Sequence, residues 1–553
     1  MWNKLHIIGR RAQYGTAHTV LQVARKLTSP YDVKFKIQFY MILRDGYCSS
    51  LWQDTVDPYQ TLPNRLNNVV FDVAIVGGGI TGVTLAHALQ KHGKKCVVLE
   101  AKNLCFGTTG GTTAHINTLM DNPYSSVIKD FGKEGARIVA RAANEAVALI
   151  EQNVATYNID CGFERTSAYL FSQDEKQTSE LSQIYDACNE VGIESRICNG
   201  IPVPINFRKA LEIPGQAKFH PTKYVQGLAK AFEELGGIIV EQCRVTNIEE
   251  GEIITIDTTQ EKFQARILVY ATHIPPGINL LHLRCPAYRS YAMALRLQEQ
   301  NYPDGLAYDM YDPYHYYRTQ EIDGEKYLIV GGEDHKTGEN TNTNKSFLQL
   351  ESHIRAHFHV NEITHRWSSQ YYEPVDGLPY IGKLPGAREN VLVATGYGGN
   401  GMTYSHVAAL ELTELILMKE SKYGDLFSPG RIKPVAGFTE FVKHNTDVVT
   451  QFVGKWFATE RLEELSALAP EEGKVVRFNN ETMALYKDDT GLLHAVNPTC
   501  THMKCSVAWN AAERSWDCPC HGARYSIEGE VLNGPADANL ESIELRSLLE
   551  KED

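Results

Sequence analysis

Hydrophobic and polar positions alternate unevenly along the chain, and near-continuous apolar runs mark its skeleton. Val69-Val70-Phe71-Asp72-Val73-Ala74-Ile75-Val76 is one such run, the pattern of a strand covered on both faces in a parallel sheet. A glycine-rich turn follows, then a helical stretch through Leu89, then a second apolar run from Cys96 to Leu99. The three together predict a β-α-β unit, so ordered structure is expected to begin near Val69. A long polar and helical region is expected up to about Asn199. Pro221 to Leu235 predicts a helix ended by Gly236-Gly237, with a strand starting at Ile238. Tyrosine-rich strands are expected between Ala287 and Gly332. Val391 to Ala394 predicts a buried strand leading into Gly396 to Gly401 and a helix from about Tyr404 to Met418. Ser428-Pro429-Gly430 opens a linker, and short strand and turn signals from about Ala467 predict a small all-β module.

Length and charge narrow this picture. At 553 residues the chain exceeds what one hydrophobic core supports, so several domains are expected. A formal charge of −13 argues against a nucleic-acid partner. No run of eighteen apolar residues exists, so no integral membrane segment is expected. The first forty residues carry seven Lys or Arg and one acid, Asp32. Such a start can resemble an organelle transit peptide, but the reading preferred here is a poorly ordered extension, with Met41 as a plausible true beginning. Eight cysteines are scattered without a spacing pattern, as for thiols in a reducing compartment, and a cytoplasmic location is expected. Four more, Cys500, Cys505, Cys518 and Cys520, crowd together near the end.

Two constellations carry chemistry. Gly77, Gly79 and Gly82 fit G-x-G-x-x-G between the first strand and its helix, with Glu100 closing the second strand. Glycines let the chain approach a pyrophosphate, the helix N-terminus faces the anion, and the acid accepts from ribose hydroxyls. Farther along, Cys500-Thr501-His502 and Cys518-Pro519-Cys520-His521 each mix one Cys with one His, as C-x-H and C-x-x-H. Zinc sites of the finger type instead pair C-x₂₋₄-C with H-x₃₋₅-H, which argues against zinc.

Several further segments resemble the D-amino-acid oxidase, glycine oxidase and sarcosine oxidase superfamily. They are Gly107-Thr108-Thr109-Gly110-Gly111-Thr112-Thr113, Phe219-His220-Pro221-Thr222 with Arg244-Val245, and Leu268-Val269-Tyr270-Ala271-Thr272. Asp376 to Gly382 and Ala394 to Met402 complete the likeness, which covers about Val69 to Glu420. The resemblance implies FAD, held by Gly77, Gly79, Gly82, Glu100, Gly107, Thr108, Thr109 and Val245. It also implies that Gly396, Gly398, Gly401 and Met402 aim a helix N-terminus at the flavin pyrimidine carbonyl. Although those glycines again fit G-x-G-x-x-G, the chain stays helical afterwards, so a second nucleotide site is not expected. Covalent attachment through His115 is not expected either, because that residue lies off the aligned position.

The terminal pattern is similar to Rieske domains, in which two thiolates hold one iron of a [2Fe–2S] cluster and two imidazoles the other. That resemblance assigns Cys500, His502, Cys518 and His521 as ligands and implies a Cys505–Cys520 disulfide. Ala523 stands where high-potential relatives commonly have Ser, which implies a potential in the lower part of the range, while Tyr525 can donate to a cysteine sulfur. Gly529 to Ala536 resembles the proline-containing loop that covers the cluster.

The expected architecture is therefore an α/β FAD-binding Rossmann-type domain with an interleaved α+β substrate domain, plus a small all-β Rieske domain. The expected boundaries are 1–68 for the extension, 69–425 for the oxidoreductase, 426–466 for a linker with a helix and 467–553 for the Rieske domain. The expected reaction is oxidation of a small amine or amino-acid-like substrate, with electrons relayed through the cluster to an unidentified acceptor. Tyr316 and Arg318 share one face of a strand and are candidates for the substrate pocket, Arg318 to meet a carboxylate; a solvated hairpin is the competing reading of that segment. Glycine-oxidase-like relatives place a carboxylate-binding Arg shortly before the D-G-x-P stretch, where this chain has Tyr371 and Tyr372, which argues against an amino-acid substrate. A flavin/iron–sulfur reductase and a redox-sensing electron-transfer protein are the alternatives. His353 and His357, spaced i,i+4 without the intervening Glu of a metalloprotease, read as a polar helix face.

Overall fold

The computed structural model describes residues 44–63, 69–340, 342–431, 460–461, 468–478 and 481–545. The linker expectation and the basic first forty residues, Met41 included, fall largely or wholly outside these.

The apolar run of the sequence is the strand Val70–Val76, central in a sheet where it pairs in parallel with Cys96–Leu99 on one side and Lys262–Tyr270 on the other. Ile238–Val240 extends the sheet beyond Cys96–Leu99, and Val391–Thr395 and Tyr380–Lys383 extend it beyond Lys262–Tyr270. Val73, Ala74 and Ile75 are fully buried because helices cover the sheet, including Ile80–Lys91 and Gly401–Met418. Parallel strands place their carboxyl ends, and the loops that leave them, on one edge, where a ligand crevice forms.

A second, nine-stranded mixed sheet roofs that edge. Its order runs Val360–Tyr372, Ala287–Leu297, Glu325–Lys336, Tyr316–Ile322, Leu306–Tyr308, Glu164–Ser172, Lys209–Lys218 and His115–Ile116, with Arg196–Cys198 also pairing with Lys209–Lys218. The strand Glu164–Ser172 lies in the region read from sequence as polar and helical: its charged outer positions obscure the alternation. The C-terminal region contains two four-stranded sheets, one built on Gly473–Phe478 and Glu481–Lys487, the other on Ser515–Asp517 and Arg524–Tyr525.

Ordered structure does not begin at Val69. Residues 44–63 form a strap with Leu51 and Trp52 fully buried and Arg44 and Asp45 held between the oxidoreductase and Rieske domains. Arg524 donates to the Asp45 backbone carbonyl at 2.6 Å and pairs with its carboxylate at 3.2 Å. Glu513 accepts from the backbone N–H groups of Tyr47 and Ser368, each at 2.8 Å. These partners lie 145 to 479 residues apart, so no local pattern reveals them. Burial of a charged network demands that its members satisfy one another, which fixes how the domains meet.

Candidate functional site

A cavity of about 330 Å³ runs along the carboxyl edge of the parallel sheet. One end is lined by Gly77, Gly79, Glu100 and Val245, the middle by Gly107, Thr108 and Thr109, and the far end by Gly398, Gly401 and Met402. Gly77 has φ +113°, and a Cβ there would lie 2.5 Å from the Ala271 carbonyl oxygen; a Cβ on Gly82 would lie 2.0 Å from that of Gly77. Only glycine fits either place, so strand, turn and helix close up and leave room for a pyrophosphate. Gly79 caps the helix Ile80–Lys91 without a side chain of its own; the Ile80 N–H donates to Thr109 Oγ1 at 3.1 Å, and the N–H groups that follow in the first turn remain for an anion. Glu100 accepts from the N–H of Gly78 at 2.6 Å and of Lys102 at 2.8 Å, one on each oxygen. Each oxygen keeps a further lone pair for a ribose hydroxyl. At the other end the helix Gly401–Met418 also lacks a side-chain cap, because Asn400 turns away to hold Asp121 and Asn117. Gly82 and Gly396 are the exceptions to the lining: Gly82 packs against the Gly77 carbonyl, and Gly396, with φ +73°, against Cys285. The lining fits FAD from adenosine to isoalloxazine.

Tyr316 lines the cavity together with Tyr308, Tyr314 and Tyr371, so the segment is not a solvated hairpin. Arg318 does not reach it. Two residues farther along the same face, its side chain is fully buried and donates to the backbone carbonyls of Thr113 at 3.0 Å, Ala114 at 2.6 Å and Phe219 at 3.2 Å, beneath the Trp52 ring. Alternation gave the correct face but not the position along it, so the expected carboxylate partner is a structural clamp. His115 lines the cavity and is hydrogen-bonded to Tyr308 at 2.7 Å. The carboxylates of Asp121 and Asp334 also line it, and sequence reasoning missed both, since neither sits in a motif.

His353, expected on a polar face, instead turns inward. Its Nε2 meets the Tyr317 hydroxyl at 2.6 Å and its ring stacks on His315 at 3.7 Å. His315 places Nδ1 2.8 Å from Asp309 and Nε2 3.4 Å from Glu333. With both ring nitrogens turned to carboxylates it is an imidazolium without a lone pair for a metal.

The terminal ligand set converges. Cys500 and His502 lie on one loop, and Cys518 and His521 on the turn between Ser515–Asp517 and Arg524–Tyr525. The Cys500 and Cys518 thiols are close enough to perturb each other's ionisation, and the rings of His502 and His521 stand 5.0 Å apart. His502 Nε2 lies 3.1 Å from the Gly277 carbonyl oxygen, whereas its buried Nδ1 has no hydrogen-bond partner among the described residues. An Nε2–H donating to that carbonyl leaves the Nδ1 lone pair for a metal, the tautomer a cluster ligand needs. Cys505 and Cys520 form a disulfide, which removes them from the ligand set. The Tyr525 hydroxyl lies 3.2 Å from Cys500 Sγ. The residues thus fit a [2Fe–2S] cluster.

Both ligand imidazoles are buried against the oxidoreductase domain rather than presented to solvent, His502 being 8% exposed and His521 2%. His282, on the oxidoreductase side, sets its ring 4.6 Å from that of His502. The loop that carries Val531, Asn533, Gly534 and Asp537 walls the same cavity as the Gly77 turn. Tyr372 spans the gap: its ring meets His273 edge-on at 4.7 Å, and its hydroxyl lies 3.1 Å from the Gly534 carbonyl and 3.4 Å from that of His521. His273 lines the cavity and is kept neutral by burial, its pKa lowered to about 4.

A flavin-type crevice and a Rieske-type ligand set in one chain define an FAD-dependent oxidoreductase with its own iron–sulfur centre. A family model described as FAD dependent oxidoreductase matches residues 72–415, and one for the Rieske [2Fe-2S] domain matches residues 455–544. The chain belongs to the FAD-dependent oxidoreductase family and carries a Rieske domain, and its cofactors are FAD and a [2Fe–2S] cluster. It is 33% identical over 499 residues to YhfW of Bacillus subtilis, described as a Rieske iron–sulfur protein, covering 89% of this chain and 97% of that one. It is 23% identical to gamma-glutamylputrescine oxidoreductase of Escherichia coli, across 67% of this chain and 89% of that one. Glycine oxidase of Geobacillus kaustophilus shares its fold, with a TM-score of 0.54, 20% identity, and coverage of 66% of this chain and 99% of that one. No helix among the described residues is long and apolar enough to cross a membrane.

Proposed function

We propose that the protein is a dehydrogenase for a small amine, and that the electrons leave through its Rieske centre to a one-electron acceptor. In the balanced reaction a C–H bond beside nitrogen breaks, its hydride carries two electrons to FAD, and the carbon–nitrogen bond becomes an imine as nitrogen loses a proton. Two equivalents of a one-electron oxidant then restore the resting protein. FAD supplies hydride acceptance, and a Rieske cluster supplies single-electron transfer.

The observation that carries this reading is the placement of the ligand histidines, buried against the domain that holds the flavin crevice, with Tyr372 in contact with both His273 and the His521 carbonyl. Two redox sites tethered in this way exchange electrons without a collision between molecules. The amine assignment draws support from the Escherichia coli relative, which is named for gamma-glutamylputrescine. Anaerobic mixing of the FAD- and iron-loaded protein with a panel of amines tests it. Bleaching of the flavin band by an amine supports the dehydrogenase, whereas bleaching by NADPH alone would replace it with a reductase.

A further inference from the structure

At the tyrosine end of the cavity the polar lining has one sign. Asp334 accepts from the Tyr371 hydroxyl at 2.9 Å and from the Ser290 hydroxyl, which itself meets the Tyr316 hydroxyl at 2.7 Å. Across the cavity Asp121 accepts from the Gly399 N–H at 2.8 Å and from the Tyr314 hydroxyl. Neither carboxylate has an ion-pair partner among the described residues. The two basic side chains that line the cavity, Lys102 and Arg244, belong to the Glu100 end. His115 and His273 are kept neutral by burial, and the Arg318 guanidinium is committed to backbone carbonyls. Loss of solvent holds Asp334 up at about 7 and Asp121 at about 6, above the ordinary carboxylate range, with their hydrogen bonds and, for Asp334, the charge of His315 offsetting only part of it.

Asp334 is half-buried and Asp121 is open to the cavity, so a ligand that fills this end shuts both carboxylates away from water, which is costly unless the ligand itself supplies a cation. Tyrosine faces add to the attraction for an ammonium group, and no Lys or Arg side chain lines this end to balance a substrate carboxylate. We infer that this end of the cavity recognises the substrate as an organic cation, between Asp334 and Asp121 and within the tyrosine walls, and excludes substrates that carry a carboxylate beside the oxidised carbon. This deepens the amine reading above and rests on it.

The test is binding to the oxidised holoprotein, read as a shift of the flavin absorption band, so that no turnover or electron relay is involved. The probes are tetramethylammonium, which cannot be oxidised to an imine, its neutral counterpart tert-butanol, and acetate. Tetramethylammonium is expected to bind at least about tenfold more tightly than either, with Asp334→Asn and Asp121→Asn each weakening it about tenfold, the loss of one charge-assisted contact. Tighter binding of acetate, equal binding of tert-butanol, or cation binding unmoved by both substitutions would overturn the inference. The first two comparisons use the native chain and stand even if a variant fails to fold. A cation that binds as expected while no amine bleaches the flavin would instead count against the dehydrogenase reading.

Discussion

His502 Nε2 lies 3.1 Å from the carbonyl oxygen of Gly277, a residue of the flavin-binding half of the chain. One hydrogen bond there serves two purposes: it selects the imidazole tautomer that can ligate iron, and it docks the ligand loop on the oxidoreductase domain. The cluster site is thereby turned inward, toward the crevice rather than toward solvent.

Tyr372→Phe keeps the ring contact with His273 but removes the hydroxyl shared between the Gly534 and His521 carbonyls. Loss of a buried hydrogen bond of this kind costs about 1 kcal/mol. Urea unfolding of the holoprotein is expected to show that loss, and cluster reduction is expected to slow while flavin reduction does not.

Glu513→Gln removes the carboxylate that pairs with Arg44 at 3.5 Å and accepts from Ser368 and Tyr47 across the domain boundary. Breaking a buried charged network from one side leaves Arg44 with Asp45 alone, at 3.6 Å, and costs about 3 kcal/mol. Calorimetry is expected to show a lower melting temperature and a single transition split into two, as the Rieske domain uncouples.

His315 supplies a pH dependence. Burial disfavours its charged form, but the hydrogen bonds to Asp309 and Glu333 outweigh that and raise its pKa to about 9. The neighbouring His353 stays neutral, its pKa lowered to about 4 by burial, and Tyr317 meets His353 rather than the cation. A raised pKa stabilises the fold fully below the unfolded value near about 6.5, and the contribution disappears as pH rises through about 9. Up to about 3 kcal/mol is at stake, so thermal stability is expected to fall between about pH 7 and pH 10, and His315→Asn to flatten that part of the profile.

The Tyr525 hydroxyl lies 3.2 Å from Cys500 Sγ and also accepts from the Thr501 N–H at 3.1 Å. A hydrogen bond to a ligand sulfur stabilises the reduced cluster. Tyr525→Phe is expected to lower the midpoint potential by tens of millivolts, and Ala523→Ser to raise it, both read by EPR during a redox titration.

Much of the fold was legible because it is written locally. The strand, glycine turn, helix and second strand from Val70 to Leu99 occupy thirty consecutive residues, and each half of the ligand set sits within four. What escaped depends on distant contacts. Asp45 and Arg524 meet across 479 residues, which hid the strap that the sequence suggested was disordered. Asp334 and Asp121 enter the cavity by the register of one sheet and the turn of one loop, and no spacing announces either. Arg318 shows the same limit from the other side: its strand face was right, yet the loops stacked over that face decide that it meets backbone carbonyls instead of a ligand.

The central claim, that electrons pass from flavin to cluster within one chain, is tested most directly by anaerobic rapid mixing with an amine that bleaches the flavin. The flavin band and the EPR signal of the reduced Rieske centre are followed over a tenfold range of protein concentration. The account predicts that the cluster signal grows after flavin bleaching with a rate independent of protein concentration. A cluster that stays oxidised, or a rate that climbs in proportion to concentration, would contradict it.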